Sequence, residues 1–176
     1  MKQKTKKRIK QSIKNFSIEL LEAIKELAEM APKPFESKYE HQKRIRKMMR
    51  GYPPKQISQS LIRLEQQGLI KRKPNTKNFN YQLTLNGHQR LLIHTINKSS
   101  KIRNNNQGCF IIFDIPEEKH KHRKFLRRLL LKNGFINLQK SVMLASHDLP
   151  KEFIDLLNEL GIRQNVTIIK GLIQYK

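Results

Sequence analysis

Asp114 is the residue of this chain best placed for metal chemistry. It ends the apolar run Phe110-Ile111-Ile112-Phe113, and Glu117, Glu118, His120 and His122 follow closely. A carboxylate with two nearby imidazoles is a donor set that divalent cations use. Two bland readings stand beside it: Asp114 as a cap on the turn after the strand, and the histidines as solvated groups in a lysine-rich loop. No Ser/His/Asp or Cys/His grouping occurs elsewhere in the sequence. A second set of residues suits non-covalent chemistry. Lys55, Gln59, Arg63 and Gln66 recur along one helical face, with Gln56 and Ser60 at its margin. Such a mixture of amide, hydroxyl and guanidinium groups hydrogen-bonds base edges in a major groove. A third set is purely cationic. Arg44, Lys47, Arg50, Lys71, Arg72, Lys73 and Lys77 are positioned as phosphate contacts around that face.

The elements that must hold these groups follow from periodicity. Leu20, Leu21, Ile24, Leu27, Ala28 and Ala31 recur at helical spacing, and Pro32 and Pro34 stop that helix. Tyr39 to Arg50 forms a second, basic helix closed by Gly51. Pro53 and Pro54 open a third, since proline suits a first turn. Its Ile57, Leu61 and Leu64 form a narrow buried seam, and Gly68 ends it. Leu69–Lys73 and Phe79–Leu83 then read as two strands around Pro74–Asn78, a basic hairpin directly after the polar-faced helix. Leu85 to Ile96 is one more helix. Asn97 to Gln107, with three consecutive asparagines, reads as a linker.

Beyond it the order is strand 109–115, helix 122–133, a bent hairpin within 135–148, helix 150–160 and strand 166–173. In the hairpin Ile136, Leu138, Val142 and Leu144 point one way; Asn137, Gln139, Ser141 and Met143 point the other. Strand 109–115 lacks period-2 alternation, which predicts cover on both of its faces, from a partner subunit or the neighbouring domain. The order βαββαβ is that of a ferredoxin-like sandwich. The fold class is therefore α+β. A basic arm, disordered or the frayed start of a helix, occupies 1–11; a helical and hairpin domain 12–97; a linker 98–107; and a ferredoxin-like domain 108–176.

Composition narrows the partners. The formal charge is +23, and residues 1–107 carry 25 Lys and Arg against 7 acids, a net of +18. That density points to polyanions, nucleic acid first. No apolar stretch approaches the ~20 residues of a spanning helix, so no membrane partner is expected. Met1–Lys10 lacks the apolar segment of a secretory signal. The single cysteine, Cys109, makes no intrachain disulfide and offers no metal-ligand spacing. A cytoplasmic protein is the expectation.

Three helices and a basic hairpin, carried by IleSerGlnSerLeuIleArgLeuGluGlnGlnGlyLeuIleLysArg at 57–72, resemble the winged helix-turn-helix family of DNA-binding domains. The pattern FDIPEE…R…L…GF…LQKSV resembles two further families. One is the small CRISPR-associated spacer-acquisition nucleases, ferredoxin-like proteins that pair through their sheets. The other is the phenylacetic-acid repressor (PaaX-type) family, in which a winged helix precedes the same kind of domain; the two-domain order favours it. The chain ends at Lys176 without the further C-terminal region of those repressors, which puts an acyl-CoA effector in doubt and leaves any effector unassigned. The nuclease resemblance carries Asp114 onto a metal position near the dimer dyad, with magnesium as the candidate ion, although no cofactor is required. Two dyad-related carboxylates repel, and a cation or shared proton would relieve this. Gln139 and Ser141 match the QKSV part of the pattern as residues of the pairing sheet face, outside any catalytic set. The resemblance implies a homodimeric, sequence-specific binder of double-stranded DNA, a transcriptional regulator of repressor type. The alternative is a metal-dependent endonuclease, or an adaptation-complex relative, with an appended DNA-binding domain. A third reading is a nucleoid-type or RNA-binding protein without sequence preference.

Overall fold

A computed structural model of the protein describes residues 2–30, 37–72, 80–99 and 107–172, with backbone alone for residues 2–14. The chain divides into two compact units, Met1–Leu91 and Leu92–Lys176.

The first unit opens with α1, Lys2–Glu29. Residues 2–11 are the start of this helix, the second of the two readings of the basic arm. Lys, Gln and Arg are good helix formers, and nothing interrupts the run before Pro32. Helix α2, Lys38–Met48, begins at a capping box: the Glu40 N–H donates to Ser37 Oγ at 3.2 Å and the Ser37 N–H to Glu40 Oε2 at 2.8 Å. Helix α3, Pro54–Gln66, has proline in its first turn. It ends where Gly68 adopts φ +65°, letting the Leu69 N–H reach back to the Leu64 carbonyl. Strands β1, Ile70–Arg72, and β2, Tyr81–Leu83, pair antiparallel, Ile70 opposite Leu83. Their core joins Leu20, Leu21 and Ile24 of α1 to Ile45, Ile57, Leu61, Leu64, Ile70 and Tyr81. His41 is buried in it, and its Nε2 accepts the Tyr81 N–H at 3.1 Å, fastening α2 to β2.

Helix α4, Leu85–Lys98, is capped by Thr84, whose Oγ1 accepts the Gly87 N–H at 3.2 Å and donates to the Gly68 carbonyl at 2.6 Å. A Cβ at Gly87 would overlap the Leu69 carbonyl oxygen, so this close approach admits glycine alone. The helix serves two cores. Leu91 belongs to the first, while Ile96, with Leu92 and Ile93, packs in the second. The division between units thus falls inside α4, ahead of the linker region, because the apolar residues of one helix are shared between the two cores.

The second unit is ferredoxin-like. Strand β3, Gln107–Phe113, is followed by α5, His120–Lys132; β4, Ile136–Gln139; β5, Val142–Ala145; α6, Glu152–Glu159; and β6, Val166–Leu172. The sheet order is β4-β5-β3-β6 with every neighbour antiparallel. Cys109, Ile111, Phe113 and Ile115 alternate onto the face covered by Leu126, Leu129 and Leu130 of α5 and Phe153, Leu156 and Leu157 of α6. Asn133, at the end of α5, is buried; its amide donates to Leu129 O and Asn97 Oδ1, and its carbonyl lies 2.8 Å from His147 Nε2. Together the units give the expected α+β architecture: helices and a short hairpin first, then the βαββαβ sandwich.

Candidate nucleic-acid interface

Helix α3 turns Ile57, Ser60, Leu61 and Leu64 into the core. Its solvent face carries Lys55, Gln59, Arg63 and Gln66, all exposed, with Gln56 half-buried beside them. Ser60 departs from the sequence reading. At 8% exposure it lies inside the seam and not on the base-facing margin. The reason is rotational: a residue three after Ile57 and four before Leu64 shares their side of the helix. The sequence reading also passed over Ile62, which stands 53% exposed among the polar groups. Its spacing of seven from Lys55 and four from Gln66 is the signal that places it there.

The hairpin contributes Lys71, exposed at the start of β1's outward face. Arg72 is differently employed. Its Nε lies 2.7 Å from Glu65 Oε1 and its Nη2 2.9 Å from Oε2, a two-pronged pair that ties β1 to the end of α3. Hydrogen bonding to that carboxylate raises the Arg72 pKa further above its ordinary value. Tyr81 beside it is also raised, chiefly by burial and then by the Glu65 charge. Lys73 and Lys77 lie outside the described residues.

On α2, Lys47 is exposed and Arg44 is half-buried, and Arg50 stands exposed in the turn just after the helix. The three line one surface groove with Leu27, Met30 and Met48, and the Arg44 guanidinium sits 3.6 Å from the Met30 sulfur. The turn that follows is pinned to α1. Tyr52 packs on Phe16 with ring centroids 4.5 Å apart and planes tilted by 60°, and donates to Glu19 Oε2 at 2.8 Å, the contact that chiefly raises its phenol pKa. Arg44 and Lys47 of α2 and Arg50 of the turn after it therefore line one groove, while Lys55, Gln59 and Arg63 share a stripe on α3.

Asp114 is exposed at the end of β3, and its N–H donates to the Asn165 carbonyl at 2.9 Å. Glu117 pairs with Arg123 at 3.0 Å, and the same guanidinium donates to the Ile115 carbonyl. Arg123 so takes up the nearest acid and fixes the loop after the strand. His122 Nδ1 is buried without a hydrogen-bond partner among the described residues. No group of three or more metal-ligating side chains is assembled among the described residues.

The second face of the sheet differs from expectation in an informative way. Phe110 and Ile112 point away from the helices, half-buried and 37% exposed. Phe110 sits between Leu144 and Ile169 of the neighbouring strands, and Ile112 between Val142 and Thr167. Ile136 lies opposite Leu144. Ile136 and Ile169 are 59% and 45% exposed, so this chain leaves an apolar sheet face in solvent. The irregularity between Asn137 and Gln139 brings Gln139 opposite Val142, onto the same face.

Comparison with known proteins agrees with the second unit's architecture. Residues 103–175 match the family model described as the PaaX protein central Cas2-like domain. No curated protein matches the chain. No helix among the described residues is long and apolar enough to cross a membrane. Within that match, residues 107–172 fold as a four-stranded sheet under two helices, and it is in this second unit that the chain is similar to the PaaX-type family.

Proposed function

We propose that the protein is a homodimeric, sequence-specific binder of double-stranded DNA, a transcriptional regulator of repressor type acting in the cytoplasm. The observation that carries this reading is the outer face of α3: amide, ammonium and guanidinium groups standing in solvent on a helix whose other side is anchored in a core. In this reading the first unit works as a winged helix-turn-helix. Lys55, Gln56, Gln59 and Arg63 reach base edges, and Arg44, Lys47, Arg50 and Lys71 hold phosphates, with Lys73 and Lys77 adding charge from the hairpin. Arg72 contributes less, since Glu65 already satisfies it. The net +18 on residues 1–107 supplies the attraction. The second unit would pair two chains across the open face of Phe110, Ile112, Leu144 and Ile169, so that two α3 helices address two half-sites. The similarity of that unit to the PaaX central domain supports regulation as the role.

Selection of bound sequences from a random duplex pool by the full chain tests this. The expected result is a palindrome whose half-sites lie a whole number of helical turns apart, with affinity falling steeply as salt rises. Uniform recovery of all sequences, or cleavage of the duplex under magnesium that Asp114→Ala abolishes, would replace this reading with a non-specific or nuclease one.

A further inference from the structure

We propose that Ile62 is a specificity-determining residue that reads the C5-methyl group of thymine. The proposal rests on the DNA-reading role of α3 and adds the identity of a base. Lys55, Gln59, Ile62 and Gln66 fall at i, i+4, i+7 and i+11, which places all four on one stripe of a 3.6-residue helix. The buried residues Ile57, Leu61 and Leu64 define the opposite side, so Ile62 stands near the middle of the solvent face and not at its edge. It is 53% exposed there. A β-branched residue is a poorer helix former than the Lys or Gln around it, so helix propensity does not explain its presence. Neither does the core, from which it points away.

The chemistry of the stripe gives it a use. Arg63, Gln59 and Lys55 offer donors for N7, O6 and O4 acceptors, and none of them distinguishes the methyl group that marks thymine. That group is apolar, protrudes into the major groove and is recognised by apolar contact. A branched aliphatic side chain flanked by hydrogen-bonding groups meets the requirement: the amides fix the register and the isoleucine buries the methyl. Burying one methyl-sized group corresponds to roughly a fourfold change in affinity.

The test replaces each thymine of the selected site, one at a time, by deoxyuridine, which deletes the methyl and keeps the O4 acceptor. For the full-length wild-type protein, one thymine per half-site should show about a fourfold loss of affinity. The Ile62→Ala protein should bind the thymine site more weakly and show no loss at that uridine. Ile62 is solvent-facing and alanine favours the helix, so the variant folds; a circular-dichroism melt matching wild type verifies this. Equal uridine sensitivity in wild type and Ile62→Ala, or no sensitive thymine at all in a protein that still selects a sequence, overturns the thymine contact alone. Failure to select any sequence overturns the DNA-reading role together with it.

Discussion

Arg72 and Glu65 show how one side-chain pair redirects a positive surface. The pair joins a half-exposed guanidinium to a carboxylate with 27% side-chain exposure, and ion pairs this open to solvent add little to stability. Its consequence for DNA is larger in sign than in size. On the proposed function, the carboxylate cancels a cation beside the helix that would read DNA. Glu65→Gln should therefore strengthen binding to duplex a few-fold at low salt, with the gain shrinking as salt rises. A loss of affinity in a fluorescence-anisotropy titration would instead assign the pair to aligning the hairpin. Cys109 makes a separate residue-scale prediction. Burial pushes its thiol above the ordinary value of about 9, helped by Asp148 and opposed by Lys170. A raised pKa means that the fold holds the proton more tightly than the unfolded chain does. The associated stability is complete below the ordinary thiol pKa and is lost as pH rises through the folded value. Native protein should react with a disulfide reagent far more slowly than urea-unfolded protein at pH 8, and equal rates would show that Cys109 is accessible.

At the scale of elements, the informative contact is α4 against β1. The N-terminal turn of α4 approaches the Leu69 backbone so closely that Gly87 leaves no room for a methyl. Gly87→Ala would gain up to ~1 kcal/mol in helix propensity. It would lose about 1–3 kcal/mol to the displacement forced between two backbones. The loss wins, and a lower urea midpoint at unchanged slope is the expected outcome. An unchanged or higher midpoint would show that α4 shifts freely. The same comparison of forces explains Ser60. The apolar seam of Ile57, Leu61 and Leu64 was legible from spacing, but its width was not. Seam width depends on how many neighbours pack against a helix, and α3 meets both α1 and β1. Likewise Leu91, Leu92 and Ile96 all read as the buried face of one helix, and nothing in their spacing assigns them to two different cores.

For the whole molecule, the governing quantity is the apolar sheet face. Phe110, Ile112, Leu144, Ile136 and Ile169 line up across four strands, a contiguous patch of the kind that marks an interface. A charge placed at its centre should separate two copies without unfolding either, since Ile112 touches solvent already. If two copies pair through this face as proposed, Ile112→Glu is expected to sediment as a folded monomer under conditions where wild type sediments as a dimer. It should also bind a palindromic site with the affinity of a single half-site. An Ile112→Glu protein that remains dimeric would locate the pairing surface elsewhere.

The sequence alone determined the α+β class, the order of elements, the caps at Gly68 and the α3 proline, and the basic character of the first half. These are local properties, written in periodicity, turn residues and charge. It also predicted cover on both faces of Phe110-Ile111-Ile112-Phe113, since an unalternating strand has no polar side to expose, and this chain supplies cover for one of them. Tertiary structure alone decided which face the helices take, because pairing register sends Ile111 and Phe113 inward and leaves Phe110 and Ile112 outside. It alone buried Ser60 in the α3 seam, joined Arg72 to Glu65, and left Asp114 outside any group of three or more metal-ligating side chains among the described residues. Each of those outcomes depends on residues distant in sequence meeting in space, and spacing along one element carries no record of them.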